Sequence, residues 1–141
     1  METEKEKTLK DFFRKYPFSI LVAEDDTINQ QLSLRLLERF GYKADLASNG
    51  REAFEMAGKK NYDVILMDVQ MPETDGFEAT KMIRTSLPVQ PFIIALTASA
   101  MAGDKEKCVS AGMNDYLCKP ININELAELF ERWDEAKKLA S

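Results

Sequence analysis

The chain has 141 residues, 45% of them apolar, and a formal net charge of −5. That supplies the core of one ordinary domain and excludes a disordered chain, while the negative balance argues against a general nucleic-acid or anionic-membrane surface. Histidine is absent, which excludes Ser-His and Cys-His nucleophile arrangements and any histidine phosphoryl donor within the chain, so chemistry must run on carboxylates, hydroxyls, lysine or a metal.

In chain order, residues 1–17 are charged, end in Lys15-Tyr16-Pro17 and read as a linker, with Leu9, Phe12 and Phe13 able to form a short amphipathic turn. A domain is expected over 18–137. Phe18–Ala23 reads as a buried strand. Residues 27–40 carry Ile28, Leu32, Leu36 and Phe40 at four-residue steps, read as the inward face of a helix that Gly41 stops. Tyr42–Ala47 is a short strand. Ser48-Asn49-Gly50 can cap a helix over 51–59 with Ala53, Phe54 and Ala57 inward. Residues 62–67 form a strand that runs into Asp68, and a helix over about 76–85 follows. Pro91–Leu96 is another apolar strand, and residues 100–110 a weaker helix closed by Gly112. Asp115–Cys118 is the last strand. Asn122 can cap the last helix, where Leu126, Leu129, Phe130 and Trp133 share a face.

Strand and helix thus alternate five times. Such alternation implies a parallel sheet covered by helices on both sides with right-handed crossovers. Five strands suit a doubly wound, flavodoxin-like (βα)5 domain of α/β class with strand order 2-1-3-4-5. No stretch approaches transmembrane length and no signal peptide is visible, which fits a cytoplasmic protein or the cytoplasmic part of a larger one. Cys108 and Cys118 have neither a redox nor a zinc spacing, and Cys118 is expected to face the core.

In an open α/β sheet, ligands bind at the carboxyl ends of the strands. Strand one ends in Glu24-Asp25-Asp26, strand three in Asp68, strand four in Thr97-Ala98-Ser99, and strand five leads into Lys119-Pro120. In the expected order these ends are consecutive neighbours. Carboxylates held together raise one another's pKa, so stable ionisation calls for a hard divalent cation with oxygen ligands, Mg²⁺ or Mn²⁺. Lys119 adds fixed positive charge and Thr97 a donor, both suited to phosphoryl oxygens. The central carboxylate, Asp68, is the candidate nucleophile, able to form an acyl phosphate.

With these residues in place, the chain resembles the receiver domain of two-component response regulators over roughly residues 18–133. The matching pieces are Ile20-Leu21-Val22-Ala23-Glu24-Asp25, Asp68 with Met71-Pro72 and Asp75-Gly76, Thr97-Ala98, and Tyr116-Leu117-Cys118-Lys119-Pro120. The resemblance implies that Asp68 is the phosphoacceptor. It implies metal ligation by Asp25, by Asp68, by Glu24 through water and by the backbone carbonyl of Gln70. Thr97 is implied as the switch hydroxyl, Tyr116 as the coupled aromatic switch, and Lys119 as the phosphoryl ion-pair partner. Lys119-Pro120 resembles the family's cis peptide. Asp26 stands where many relatives have asparagine and is read as opening the first helix. Leu9–Pro17, Val22–Asp25 and Asn29-Gln30 resemble receivers fused to sensor histidine kinases, which implies a receiver cut or descended from a hybrid kinase.

The implied function is phosphoryl transfer from a phosphohistidine, on a histidine kinase transmitter or a histidine phosphotransfer domain, to Asp68. The domain would assist its own phosphorylation and dephosphorylation without being a kinase, and would neither bind nucleic acid directly nor carry a membrane segment. The fourth helix, fifth strand and fifth helix form the implied output face and a contact for a homodimer. The competing readings are a phosphatase with an aspartyl-phosphate intermediate, a flavin module on the same fold, and a degenerate receiver that acts only by docking. Against the phosphatase, Asp68-Val69-Gln70 lacks the second acid of an Asp-x-Asp motif; against the flavin, Glu24-Asp25-Asp26 would repel a phosphate. Taken singly, Tyr116 also reads as a half-buried strand aromatic. Met67, Met71, Met82 and Met101 read as packing, and Trp133 as core-facing.

Overall fold

The computed structural model describes residues 11–98 and 102–140. Leu9, Ser99 and Met101, named above, lie outside the described residues. A one-turn helix, Phe12–Lys15, leads into a parallel sheet of β1 (Ile20–Ala23), β2 (Asp45–Ala47), β3 (Val64–Asp68), β4 (Phe92–Thr97) and β5 (Asp115–Cys118). The covering helices are α1 (Thr27–Arg39), α2 (Gly50–Lys59), α3 (Gly76–Ser86), α4 (Ala102–Ala111) and α5 (Ile123–Ala140). The sheet order is β2-β1-β3-β4-β5 with every pairing parallel, the doubly wound order expected from the alternation.

Because side chains alternate along a strand, the sheet has two apolar faces. Ile20, Val22, Val64, Leu66, Ile94, Leu96 and Leu117 face α1 and α5, meeting Leu37, Leu126, Leu129 and Phe130. Leu21, Ala23, Ile65, Met67, Ile93 and Ala95 face α2, α3 and α4, meeting Ala53, Ala79, Ile83 and Cys108. Trp133 stacks on Phe92 with ring centroids 4.8 Å apart. Phe12 lies 4.8 Å from the Tyr16 ring and 5.1 Å from the Phe40 ring, so the entering segment packs on the domain.

Helix starts follow their caps. Asp26 accepts from the Asn29 N–H, Asn49 from Glu52, and Asp75 from Glu78. Asn122 accepts from Asn124 and Glu125 ahead of α5. Asp26 therefore opens a helix, as read, and each cap satisfies a donor the first turn cannot. Gly41 and Gly112 take the left-handed backbone that ends helices, at φ 91° and 101°.

Two expectations are corrected. The inward face of α1 is not Ile28-Leu32-Leu36-Phe40. Ile28 is 71% and Leu32 56% exposed, Leu36 is half-buried, and only Phe40, just past the helix, is buried as expected. The buried residues of α1 are Gln30, Ser33 and Leu37. Residues turn by about 100° each, so four-residue steps drift by about 40° and leave any single face. Cys118 is half-buried rather than in the core; Cys108 is the buried cysteine.

Candidate functional site

β1, β3, β4 and β5 stop at one edge, and their last residues meet there. Glu24 follows β1 directly, held by its own N–H to the Ala47 carbonyl at 3.0 Å and by the Gln30 amide on its carbonyl at 2.7 Å. That second bond explains why α1 turns a glutamine inward. Asp68 ends β3 and is 4% exposed. Its Oδ1 accepts the Gln70 backbone N–H at 3.0 Å. The Lys119 ammonium lies 2.8 Å from Asp68 Oδ2 and 2.8 Å from Glu24 Oε1. Lys119 is itself fixed by its backbone N–H on the Thr97 carbonyl at 2.8 Å, and its bond to Pro120 is cis.

Glu24, Asp25 and Asp68 bring carboxylate oxygens within 4.8 Å of one another. One ammonium cannot balance three such groups. Burial above all, then the neighbouring Asp68 carboxyl, pushes the Glu24 carboxyl from 4.5 up to about 7, against the pull of Lys119. Burial lowers the Lys119 ammonium, but hydrogen bonds from Asp68 and Glu24 outweigh it and hold it above its usual value. Glu24 Oε2 is buried without a hydrogen-bond partner. A buried acceptor left bare is costly. An all-oxygen site with an orphaned carboxylate oxygen, surplus negative charge and one exposed member, Asp25, fits a hard dication that keeps some of its waters.

The remaining expected residues fall around this cluster. Thr97 is buried at the end of β4, one residue beyond Leu96, the partner of Asp68 in the sheet. It lines a cavity with Gln70, Phe77 and Ala98. Tyr116 is half-buried on β5 beside Ala95. Its ring lies 5.8 Å from the Lys105 ammonium of α4. Glu24, Asp25 and Asp68 are thus clustered, Lys119 pairs with Glu24 and Asp68, Gln70 and Thr97 follow at the same sheet edge, and Tyr116 stands apart on β5. Met67 and Met71 are buried packing residues.

Three features escaped the sequence reading. Lys119 bridges two carboxylates, those of Glu24 and Asp68. Gln30 supports the site from within α1. Exposed Leu32 borders a second cavity with Leu36, Pro120 and Ile121, open beside Glu24 and Lys119.

Comparison with known proteins agrees with this geometry. The family model of the response regulator receiver domain matches residues 20–131. Hybrid signal transduction histidine kinase H of Dictyostelium discoideum is 46% identical over 125 residues, covering 84% of this chain and 9% of that protein. The histidine-protein kinase BarA of Escherichia coli K12 is 40% identical over 129 residues, covering 90% of this chain and 14% of BarA. The chain therefore spans only a small part of these relatives. Among solved structures, the receiver domain of sensor histidine kinase PA1611 from Pseudomonas aeruginosa, with a magnesium ion in its active-site cleft, is 42% identical. It superposes with a TM-score of 0.73 over 82% of this chain and 96% of that one. The receiver domain of Ssk1 from Saccharomyces cerevisiae, in complex with the histidine phosphotransfer protein Ypd1, is 35% identical, with a TM-score of 0.73 over 82% of this chain and 87% of that one.

Proposed function

This chain belongs to the response regulator receiver domain family, and we propose that within two-component signalling it accepts a phosphoryl group from a partner's phosphohistidine on Asp68. The observation that carries the reading is the clustering of the Glu24, Asp25 and Asp68 carboxylates, two of them paired with the Lys119 ammonium and one buried oxygen of Glu24 left bare. Asp25 and Asp68, the Gln70 carbonyl, and Glu24 through water would hold Mg²⁺. Bound there, the ion would neutralise the carboxylates and the oxygens of the incoming phosphoryl group.

The protein's own part is orientation and charge. The Gln70 N–H fixes Asp68 Oδ1, so Oδ2, the oxygen held by Lys119, is the one positioned to attack phosphorus. As its bond to phosphorus forms, the phosphorus–nitrogen bond breaks and the electron pair stays on the departing imidazole. Lys119 then exchanges its contact with Oδ2 for a phosphoryl oxygen, and the Thr97 hydroxyl donates to another. Such a step shifts a two-state equilibrium only if both residues bind the phosphoryl group better in one state. Tyr116 and the cleft it lines with Lys105, Leu129 and Arg132 are the surface that reports the change. The chain is an acceptor, not a kinase.

The donor must approach along the open edge. Ile28 and Leu32, 71% and 56% exposed, form an apolar surface beside the cavity that reaches Glu24 and Lys119. Exposed apolar clusters of this kind mark protein contacts, and the donor domain is the partner proposed for it. Among the described residues no helix is long and apolar enough to cross a membrane. The setting proposed with it is the cytoplasm, where a phosphohistidine donor would be charged from ATP.

The test supplies a small acyl phosphate with and without Mg²⁺ and reads intact mass. One phosphoryl group per chain, dependent on Mg²⁺ and absent in Asp68→Asn, is expected. Labelling that persists unchanged in Asp68→Asn overturns the assignment. Many turnovers on phosphate esters would favour the phosphatase reading instead.

A further inference from the structure

Residues 69–75 connect Asp68 to α3 and carry the Gln70 carbonyl. The near end of this loop is closed by the Gly76 N–H on the Val69 carbonyl at 3.3 Å. A Cβ on Gly76 would overlap the carbonyl oxygen of Asp68 and come within 2.9 Å of Val69 Cα. The far end rests on a different element. The Gly50 N–H, at the start of α2, donates to the Thr74 carbonyl at 3.2 Å. Among the described residues this is the hydrogen bond that ties residues 72–74 to the rest of the domain. A Cβ on Gly50 would overlap the Thr74 carbonyl oxygen and lie 3.0 Å from that of Asp75. Both neighbours are backbone, so no rotamer change could make room. Between the two glycines the chain turns through Glu73 at φ 64°, left-handed for a residue with a side chain. Strain there persists only where the surroundings hold the loop.

We propose that Gly50 is a positioning residue for the phosphoacceptor site: by lacking a side chain it lets α2 abut the Thr74 carbonyl and so fixes the loop that presents Gln70. This rests on the reading of Asp68, Asp25 and Gln70 as a Mg²⁺ site. Asn49 caps α2 whatever residue follows, and helix interiors favour alanine over glycine. Nothing within α2 itself therefore calls for glycine at its first position; the approach of the loop does. Gly58, on the same helix, is the natural control, since a Cβ there meets only Leu87 Cδ2, at 3.7 Å.

Isothermal titration with MgCl₂ alone tests this on the wild type, Gly50→Ala, Gly58→Ala and the double variant Gly50→Ala/Glu73→Gly, with melting temperatures recorded for each. Gly50→Ala should bind Mg²⁺ about tenfold more weakly, the scale of losing support behind a metal ligand, while Gly58→Ala binds as the wild type does. Glu73→Gly gives the loop slack and should restore part of the affinity, which repair of a merely unstable helix would not. Wild-type binding by Gly50→Ala overturns the inference alone. No Mg²⁺ binding by the wild type overturns the metal-site reading and this inference with it. Should Gly50→Ala not fold, hydrogen exchange on the wild type decides: Mg²⁺ should slow exchange of the Gly50 amide more than that of Gly58, and equal slowing of the two refutes the coupling.

Discussion

Replacing Glu24 by glutamine should remove a pH dependence of stability that the metal-free domain otherwise carries. Glu24 is fully buried, and its carboxyl is moved from 4.5 to about 7, by burial first and by Asp68 next. Between those values the folded chain holds a proton that the unfolded chain has already released. Raising the pH therefore favours unfolding: the stability linked to this proton is complete below 4.5 and is lost as pH climbs through about 7. At about 1.4 kcal/mol per pH unit the whole span is worth about 3 kcal/mol. Glutamine keeps an oxygen for Lys119 and cannot ionise. Urea denaturation in a chelator, at several pH values from 4.5 to 8, should show the variant gaining on the wild type as pH rises, by roughly 1–3 kcal/mol across the window. A stability difference between the two that stays constant across the window would refute the argument that Glu24 is a strained acid awaiting a cation.

Three further outcomes are expected. Mg²⁺ should raise the melting temperature of the wild type, by the equivalent of about 2.7 kcal/mol at a hundredfold excess over Kd, and Asp25→Asn should shrink that gain; scanning calorimetry with and without the ion reads it. Ile28→Ser/Leu32→Ser should slow transfer from a phosphorylated histidine phosphotransfer protein while leaving labelling by a small acyl phosphate and the stability, within about 0.5 kcal/mol, unchanged. Equal slowing with both donors would show the patch acting on the site rather than on docking. Leu37→Ala, inside the α1–α5 face of the core, should cost about 2–5 kcal/mol in urea denaturation, against little for Leu32→Ala at an exposed position of the same helix.

The site was legible because its chemistry lies at strand ends. Asp68 stands out as a charge closing an apolar run, and Thr97 and Lys119 follow two other strands at matching places. Strand order alone then brings them together. What stayed hidden depends on geometry that residue type does not encode. Gln30 and Ser33 are polar yet inward, so hydrophobic spacing pointed to Ile28 and Leu32, on the outer side. Gln30 is inward for a hydrogen bond to the Glu24 carbonyl, which only the finished turn after β1 reveals. The approach of Gly50 to Thr74 joins segments distant in sequence, and a lone glycine at a helix start looks like part of the cap. Asp26 could be placed from charge and position alone, because capping is local.

The bond between Asp68 and phosphorus can be read chemically. The labelled chain, reduced with borohydride, converts an aspartyl phosphate to homoserine, and tandem mass spectrometry of the digest locates it. Homoserine is expected at position 68 and nowhere else. Conversion at Asp25 or Asp26, or a phosphoryl group that resists reduction and maps to a hydroxyl, would contradict it.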